Sequence, residues 1–250
     1  MKYLVCVKQA PDTAELPKVK AEEAASGELS IQLVVNPWDE HALESAIQSS
    51  EDYGGSASVI SVGGEKAIDA LRSGLAMGCT EATLIEDTEA DAWGVATLLA
   101  AAIEQMDDVG VVFTGQMTVD GNSGMVPVAL ARKLGWPVLT GVARIVELTD
   151  DGIVVERVVD DARYTVKAPV PVVLSVNKEI GEPRYPTFIK IRKAARVTIP
   201  TLSAADLGIE VPAPVVQLDN FRKPPARDAH VQLFDNASDL VDALLAEKVL

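Results

Sequence analysis

The chain has 250 residues, 48% of them hydrophobic, and a formal net charge of -15 at pH 7. This size allows one large α/β domain with an appendage, or a domain and a small second one, and the acidic balance argues against a general nucleic-acid-binding protein. No apolar run approaches the roughly 20 residues of a membrane helix, and MKYLVCVKQ carries no targeting signal, so we expect a cytoplasmic protein without membrane insertion. Two isolated cysteines and two distant histidines, His41 and His230, offer neither metal-ligand spacing nor a hydrolytic triad.

The first half of the chain alternates strand and helix patterns. Lys2 to Val7 is the first predicted strand. A helix is predicted after it, with Asn36 as N-cap and Pro37 at the first helical position. The alternation continues with predicted strands at Ser56 to Val62 and Thr83 to Ile85, and with predicted helices at Ala67 to Met77 and Trp93 to Met106.

This alternation predicts where a ligand would bind. Strands and helices at this spacing indicate a parallel sheet with right-handed crossovers. Ligands of such sheets bind beyond the carboxyl ends of the strands, so the loops after Val7, Val62 and Thr114 would converge on one site.

One stretch, Val111 to Thr140, combines a buried strand, a glycine-rich turn and a helix. It opens on the continuous apolar run VVF, which is typical of a parallel strand. Pro127 has no N–H and belongs in the first helical turn, which puts the helix start near Ser123 or Gly124. Free amides there would favour a phosphate over Gly121 to Gly124. The alternative is an ordinary strand-to-helix connection, since the turn is neither a Walker loop nor GxGxxG.

The chain is rich in strand patterns after Gly135. Predicted strands at residues 138–148, 153–159, 163–166 and 170–176 indicate hairpins or antiparallel additions. The predicted fold is therefore α/β, with a parallel-sheet domain at 1–200, antiparallel additions, and an extended arm at 201–250 that ends in a helix. That helix has an apolar face, so it would pack on the parent domain or on another subunit.

A basic segment at residues 182–196 interrupts this acidic chain. From Arg184 to Arg196 it has five lysine or arginine residues and no acidic residue. One interpretation is a docking loop for an acidic partner. The other is a solvated surface loop whose Tyr185 and Phe188 pack back on the domain.

Five ordered stretches together resemble the beta subunits of electron-transfer flavoproteins. They cover almost the whole chain and read VCVKQAPDT (5–13), NPWDEHALESA (36–46), LRSGLAMGCTEA (71–82), DGNSGMVPVALARKLGWPVLT (120–140) and VNKEIGEPRYPTFIKIRKA (176–194). The resemblance implies an electron carrier subunit without catalytic activity of its own, in a heterodimer whose alpha subunit holds the redox-active FAD. It also implies AMP in an adenine-nucleotide-binding domain, electrons from acyl-CoA or related dehydrogenases, as in fatty acid beta-oxidation, and a quinone oxidoreductase as acceptor.

The resemblance also implies roles for residues. The AMP contacts would be Cys6, Asn36, Val62, Asp120, Asn122, Ser123, Gly124, Met125 and Val126. Trp38 would lie near the flavin of the alpha subunit, with a core tryptophan as the alternative. The docking residues would be Arg184, Tyr185, Phe188, Lys190, Arg192 and Lys193, with Phe188 as the apolar anchor in place of the more familiar leucine.

Two alternatives remain open from the sequence. Some members of the family carry a second FAD in place of AMP and split electron pairs from NADH, using a DGDT-like turn. This chain has Asn122 and Ser123 in that turn, which favours AMP. The other alternative is a stand-alone nucleotide-binding protein on the same scaffold.

Overall fold

The computed structural model describes residues 1–27, 29–87, 89–217, 221–225 and 231–249, so His230 and parts of the predicted arm lie outside the described residues. The strands are β1 (Lys2–Cys6), β2 (Gln9–Pro11), β3 (Leu33–Val35), β4 (Ser56–Gly63), β5 (Glu81–Glu86), β6 (Val109–Gly115), β7 (Val138–Thr149), β8 (Gly152–Val159), β9 (Ala162–Ala168), β10 (Val172–Val176) and β11 (Thr201–Leu202). The α-helices are α1 (Ala21–Ser26), α2 (Pro37–Tyr53), α3 (Ile68–Met77), α4 (Ala92–Glu104), α5 (Met125–Leu134), α6 (Phe188–Ala194) and α7 (Ala237–Ala246). In the described chain, no helix combines the length and the hydropathy needed to cross a membrane.

Within the described residues the main sheet has nine strands in the order β11-β5-β4-β1-β6-β10-β7-β8-β9. Neighbouring strands from β11 to β7 are parallel, and the β7/β8 and β8/β9 pairs are antiparallel. The predicted α/β fold, a parallel sheet with antiparallel additions, is confirmed. A separate antiparallel pair, β2 and β3, forms from the loop after β1 and the run before α2.

The position of β10 differs from the sequence prediction. Residues 170–176 were expected in a hairpin or an antiparallel addition, but β10 lies between β6 and β7 and is parallel to both. Its five residues are all buried, as expected of a central strand with both faces covered. Strand β7 begins beside β10 and then continues into the antiparallel hairpin with β8.

The hydrophobic core has two halves, one on each face of the sheet. Successive side chains of a strand point to opposite faces. Val5 of β1 therefore lies in the same half of the core as Leu43 of α2, whereas its neighbour Leu4 lies in the other half with Leu98 of α4 and Leu130 of α5. Helices thus cover both faces of the parallel part of the sheet.

The strand order places a switch point between β1 and β6. From β1 the chain proceeds outward to β4 and β5, then returns to the other side of β1 to form β6. Connections on either side of a switch point diverge and leave a crevice at the carboxyl ends of the two strands. The carboxyl ends of β4, β1 and β6 lie side by side, which confirms the predicted convergence of their loops.

The packed domain extends beyond residue 200. Strand β11 pairs with β5, and Leu207 is buried in the core half that contains α4. Helix α7 forms within the predicted range, with Leu240, Val241 and Leu245 exposed and no buried residue. Its apolar face is therefore not covered by the described part of this chain.

Candidate functional site

A carboxylate of α2 joins the ends of the two strands at the switch point. Asp39 accepts hydrogen bonds from the amides of Lys8, just after β1, and Gly115, at the end of β6, at 2.8 and 3.1 Å. The side chain is buried, and burial raises the pKa of Asp39 to about 7, although the two amide hydrogen bonds act to lower it. The carboxylate thus fixes both edges of the crevice.

Asn36 fixes the loop that follows β6. It precedes α2 at the N-cap position, which confirms the predicted helix start, but its buried side chain makes no capping hydrogen bond. Instead, its Nδ2 donates to the carbonyl oxygen of Met117 at 2.9 Å, and its Oδ1 accepts from the amide of Val119 at 3.1 Å. Its own amide donates to the carbonyl oxygen of Lys8 at 2.9 Å. One residue therefore ties the loops after β1 and β6 together.

The glycine-rich turn leads into α5 through a left-handed residue. The helix begins at Met125, and Gly124 precedes it with φ of 57°, close to the predicted start. A Cβ at Gly124 would lie 3.0 Å from the carbonyl oxygen of Gln116, so a side chain has little room there. Within the described chain, the amides of Ser123 and Gly124 find no protein acceptor. These donors at a helix amino terminus fit an anion.

Lys8 borders the same turn, and its side chain was not among the predicted contacts. Its Nζ lies 2.7 Å from Oδ2 of Asp120. Partial burial acts to raise the pKa of Asp120, but the hydrogen bond and charge of Lys8, together with hydrogen bonds from Thr118 and Gly121, hold that pKa below its usual value. A cation directly after the first strand of a parallel sheet is the sequence signal that could have identified Lys8.

The structure brings the amino acids that the resemblance implies as AMP contacts to one edge of the sheet. Cys6 ends β1, Val62 is near the end of β4, and residues 120–126 form the turn and the start of α5. Burial raises the pKa of the Cys6 thiol, which therefore stays protonated and packs as a small apolar group. Met125 is exposed, whereas Val126 and Val62 are half-buried, so apolar and polar groups line the same crevice.

Trp38 is half-buried at the start of α2, beside the end of β6. A Cβ on Gly115 would lie 2.7 Å from the carbonyl carbon of Trp38 and would collide with the carboxylate of Asp39. Glycine at position 115 therefore allows α2 to approach the sheet closely enough for the Asp39 hydrogen bonds to form.

The basic segment presents apolar side chains to solvent. Tyr185, Phe188 and Ile189 are 97%, 72% and 79% exposed, so the interpretation in which Tyr185 and Phe188 pack back on the domain is wrong. Helix α6 packs against α3 and buries Ala194. Soluble proteins seldom expose adjacent large apolar residues without a binding role.

The cations of this segment fall into two groups. Lys190, Arg192 and Lys193 are exposed on α6, and no carboxylate of the described residues forms an ion pair with them. Arg192 lies over the ring of Phe188, 5.9 Å from its centre. Arg184, by contrast, forms ion pairs with carboxylates of α2 inside the chain.

The sheet and its switch-point crevice define the chain as a doubly wound α/β protein with its candidate ligand groups at the carboxyl ends of β1, β4 and β6. The family described as Electron transfer flavoprotein domain matches residues 27–207, and the chain belongs to this family. The relatives below place it among the beta subunits. It is 36% identical over 214 residues to the electron transfer flavoprotein subunit beta of Thermoanaerobacterium thermosaccharolyticum, covering 84% of this chain and 81% of that protein. Identity to the same subunit of Megasphaera elsdenii is 30% over 272 residues, covering both chains fully. The caffeyl-CoA reductase-Etf complex subunit CarD of Acetobacterium woodii is 31% identical over 236 residues, covering 91% of this chain and 89% of the relative.

The comparisons confirm the family resemblance drawn from the five sequence stretches. A beta subunit implies an alpha subunit as its partner.

Proposed function

We propose that this chain binds AMP at the switch-point crevice, helps to enclose the FAD of its alpha subunit and docks dehydrogenases through the basic segment. The observation that supports this proposal is a set of hydrogen bonds at one edge of the sheet. Asp39 and Asn36 join the ends of β1 and β6 to the loop that leads into the glycine-rich turn, so the free amides of that turn are held in place before a ligand binds. We assign the chain no catalytic group of its own.

The donors and apolar groups of the crevice fit a nucleoside monophosphate. The amides of Ser123 and Gly124 and the ammonium of Lys8 would hold the phosphate. Cys6 and Val62 would line the adenine pocket, and Asp120 and Asn122 would contact the polar part of the nucleotide. AMP would stabilise the folded chain by mass action and would not need to turn over.

The redox chemistry belongs to the FAD that the alpha subunit would hold. Trp38 would border that flavin from this side of the interface. The exposed cations Lys190, Arg192 and Lys193 would steer an acidic acyl-CoA or related dehydrogenase, and Phe188 would fill a pocket on it. In this account electrons would pass onward to a quinone oxidoreductase in a cytoplasmic setting.

A second candidate is a bifurcating subunit that carries its own FAD and oxidises NADH. This candidate is supported by the similarity to CarD, which is named as a subunit of a caffeyl-CoA reductase-Etf complex. Asn122 and Ser123 in the turn favour AMP instead.

Calorimetric titration of the nucleotide-depleted heterodimer tests the proposal. We expect AMP to bind with one site per heterodimer and adenosine, which lacks the phosphate, to bind at least about tenfold more weakly. Equal binding of the two would contradict the phosphate site. Tighter binding of added FAD than of AMP in this subunit would favour the bifurcating candidate.

A further inference from the structure

The basic segment is attached to α2 at its amino end by Arg184. Its guanidinium bonds Glu44 through Nε–Oε2 and Nη2–Oε1 contacts of 2.8 and 2.9 Å. It bonds Glu51 through Nη1–Oε1 and Nη2–Oε2 contacts of 2.7 and 2.8 Å. The backbone amide of Arg184 also donates to Oε2 of Glu44 at 2.9 Å. Both the main chain and the side chain of this residue are thus held by one helix.

The carboxylate of Glu44 in this attachment is buried and needs the charge of Arg184. The side chain of Glu44 is only 4% exposed, and a buried carboxylate is stable only when it is paired and hydrogen-bonded. The hydrogen bonds to Glu51 and Glu44 raise the pKa of Arg184, which keeps its charge. One guanidinium faces two carboxylates, so Arg184 adds no net positive charge to the surface that a partner would meet.

Further contacts fix the segment on both sides of its exposed part. The carbonyl oxygen of Gly181 accepts a hydrogen bond of 2.8 Å from Nδ1 of His41, another residue of α2. At the other end, Ala194 and Ile199 are buried. The exposed side chains of Phe188 and Ile189 lie between these two attachments. The backbone is therefore held on either side of its apolar surface.

We infer that Arg184 is a positioning residue, which holds the basic segment on α2 so that Phe188 and Ile189 face the partner, and that it does not contact the partner itself. This inference rests on the docking function proposed above. The cationic contacts with the partner are then made by Lys190, Arg192 and Lys193. Arg184 is not one of the docking contacts. Glu51 becomes part of the docking apparatus although it lies outside the basic segment.

Glu51→Gln separates the two roles because they predict opposite effects. The side chain of Glu51 is more than half exposed, so its replacement should not prevent folding. If Arg184 positions the segment, we expect the KM of a purified acyl-CoA dehydrogenase for the heterodimer to rise about fivefold with kcat unchanged. If Arg184 contacts the partner, the variant releases the guanidinium from Glu51, although not from Glu44, and removes a negative charge, so KM would fall or stay constant. Asp52→Asn, an equal loss of charge at the next residue, is the matched control and should leave KM unchanged.

Arg184→Lys gives a second arm, since lysine keeps the charge but cannot form the forked pairs. Positioning predicts the same rise in KM and backbone hydrogen exchange about tenfold faster across residues 185–194 of the heterodimer. Wild-type exchange and KM in both Arg184→Lys and Glu51→Gln, with Phe188→Ala impaired, would overturn this inference and leave the docking function intact. Wild-type KM in Phe188→Ala would overturn the docking function, and this inference with it.

Discussion

Asp39 accepts a hydrogen bond of 2.8 Å from the backbone amide of Lys8, so a side chain of α2 holds the chain at the point where it leaves β1. The second oxygen of the same carboxylate accepts from Gly115 at the end of β6. A single buried group therefore links the chain at the ends of β1 and β6, and its protonation should affect the stability of the site.

The pKa of about 7 for Asp39 predicts a pH-dependent stability. A carboxyl whose folded-state pKa lies above its unfolded value of about 4 binds a proton more tightly in the folded chain. The contribution of Asp39 to the unfolding free energy is therefore fully present below about pH 4. It decreases by up to about 4 kcal/mol as the pH rises to about 7, and then levels off.

Asp39→Asn removes this titration. We expect the melting temperature of the variant minus that of the wild type, both as nucleotide-depleted heterodimers, to increase from pH 5 to pH 7. This range lies between the two pKa values above, where only the wild type loses the contribution of Asp39. A difference that stays constant over this range would show that Asp39 does not titrate there.

Local sequence patterns were sufficient to predict most of the site's scaffold. Pro37 and Asn36 marked the start of α2, and the glycine-rich turn with Pro127 marked the start of α5. These signals act over a few residues, because proline lacks an N–H and glycine tolerates a left-handed backbone. The strand-helix alternation then gave the sheet edge at which the loops meet.

Contacts between distant residues were beyond these patterns. Asn36 was predicted as a helix cap, but its side chain bonds a loop more than 80 residues away. Arg184 was counted among docking cations, although the paired carboxylates lie more than 130 residues earlier. The inserted position of β10 likewise depends on strand order, which the local pattern of a buried strand does not encode.

Lys8→Gln tests the ammonium at the glycine-rich turn. Loss of one charge-assisted hydrogen bond to phosphate should weaken AMP binding about tenfold, as measured by calorimetry on the heterodimer. Lys2→Gln is the matched control, because Lys2 is also ion-paired but lies at the opposite end of β1. An equal effect of both variants would indicate general electrostatics and would count against a local contact.

Gly115→Ala tests the close approach of α2 to β6. The added methyl group would collide with Trp38 and Asp39, and we expect a loss of about 1–3 kcal/mol in unfolding free energy. Gly121→Ala is the control, since the nearest atom to a Cβ there would be Oγ1 of Thr118 at 3.4 Å, which is an ordinary van der Waals contact. The close approach would be disproved if denaturant titration found both variants equally stable.

Phe188→Ala tests the apolar anchor of the basic segment. The side chain is mostly exposed, so its removal should slow electron transfer from an acyl-CoA dehydrogenase while FAD and nucleotide contents stay intact. Val146→Ala, an exposed apolar residue on β7, provides the control. Stopped-flow rates that are the same for Phe188→Ala and wild type would refute the docking role.

In the proposed heterodimer this subunit holds AMP and the alpha subunit holds the flavin. The most direct measurement is to co-express the chain with its alpha subunit, purify and denature the complex, and quantify the released FAD and AMP by chromatography. We predict one FAD and one AMP per heterodimer. Two FAD and no AMP would contradict the claim in favour of bifurcation, and the absence of any flavin would contradict the electron-carrier account as a whole.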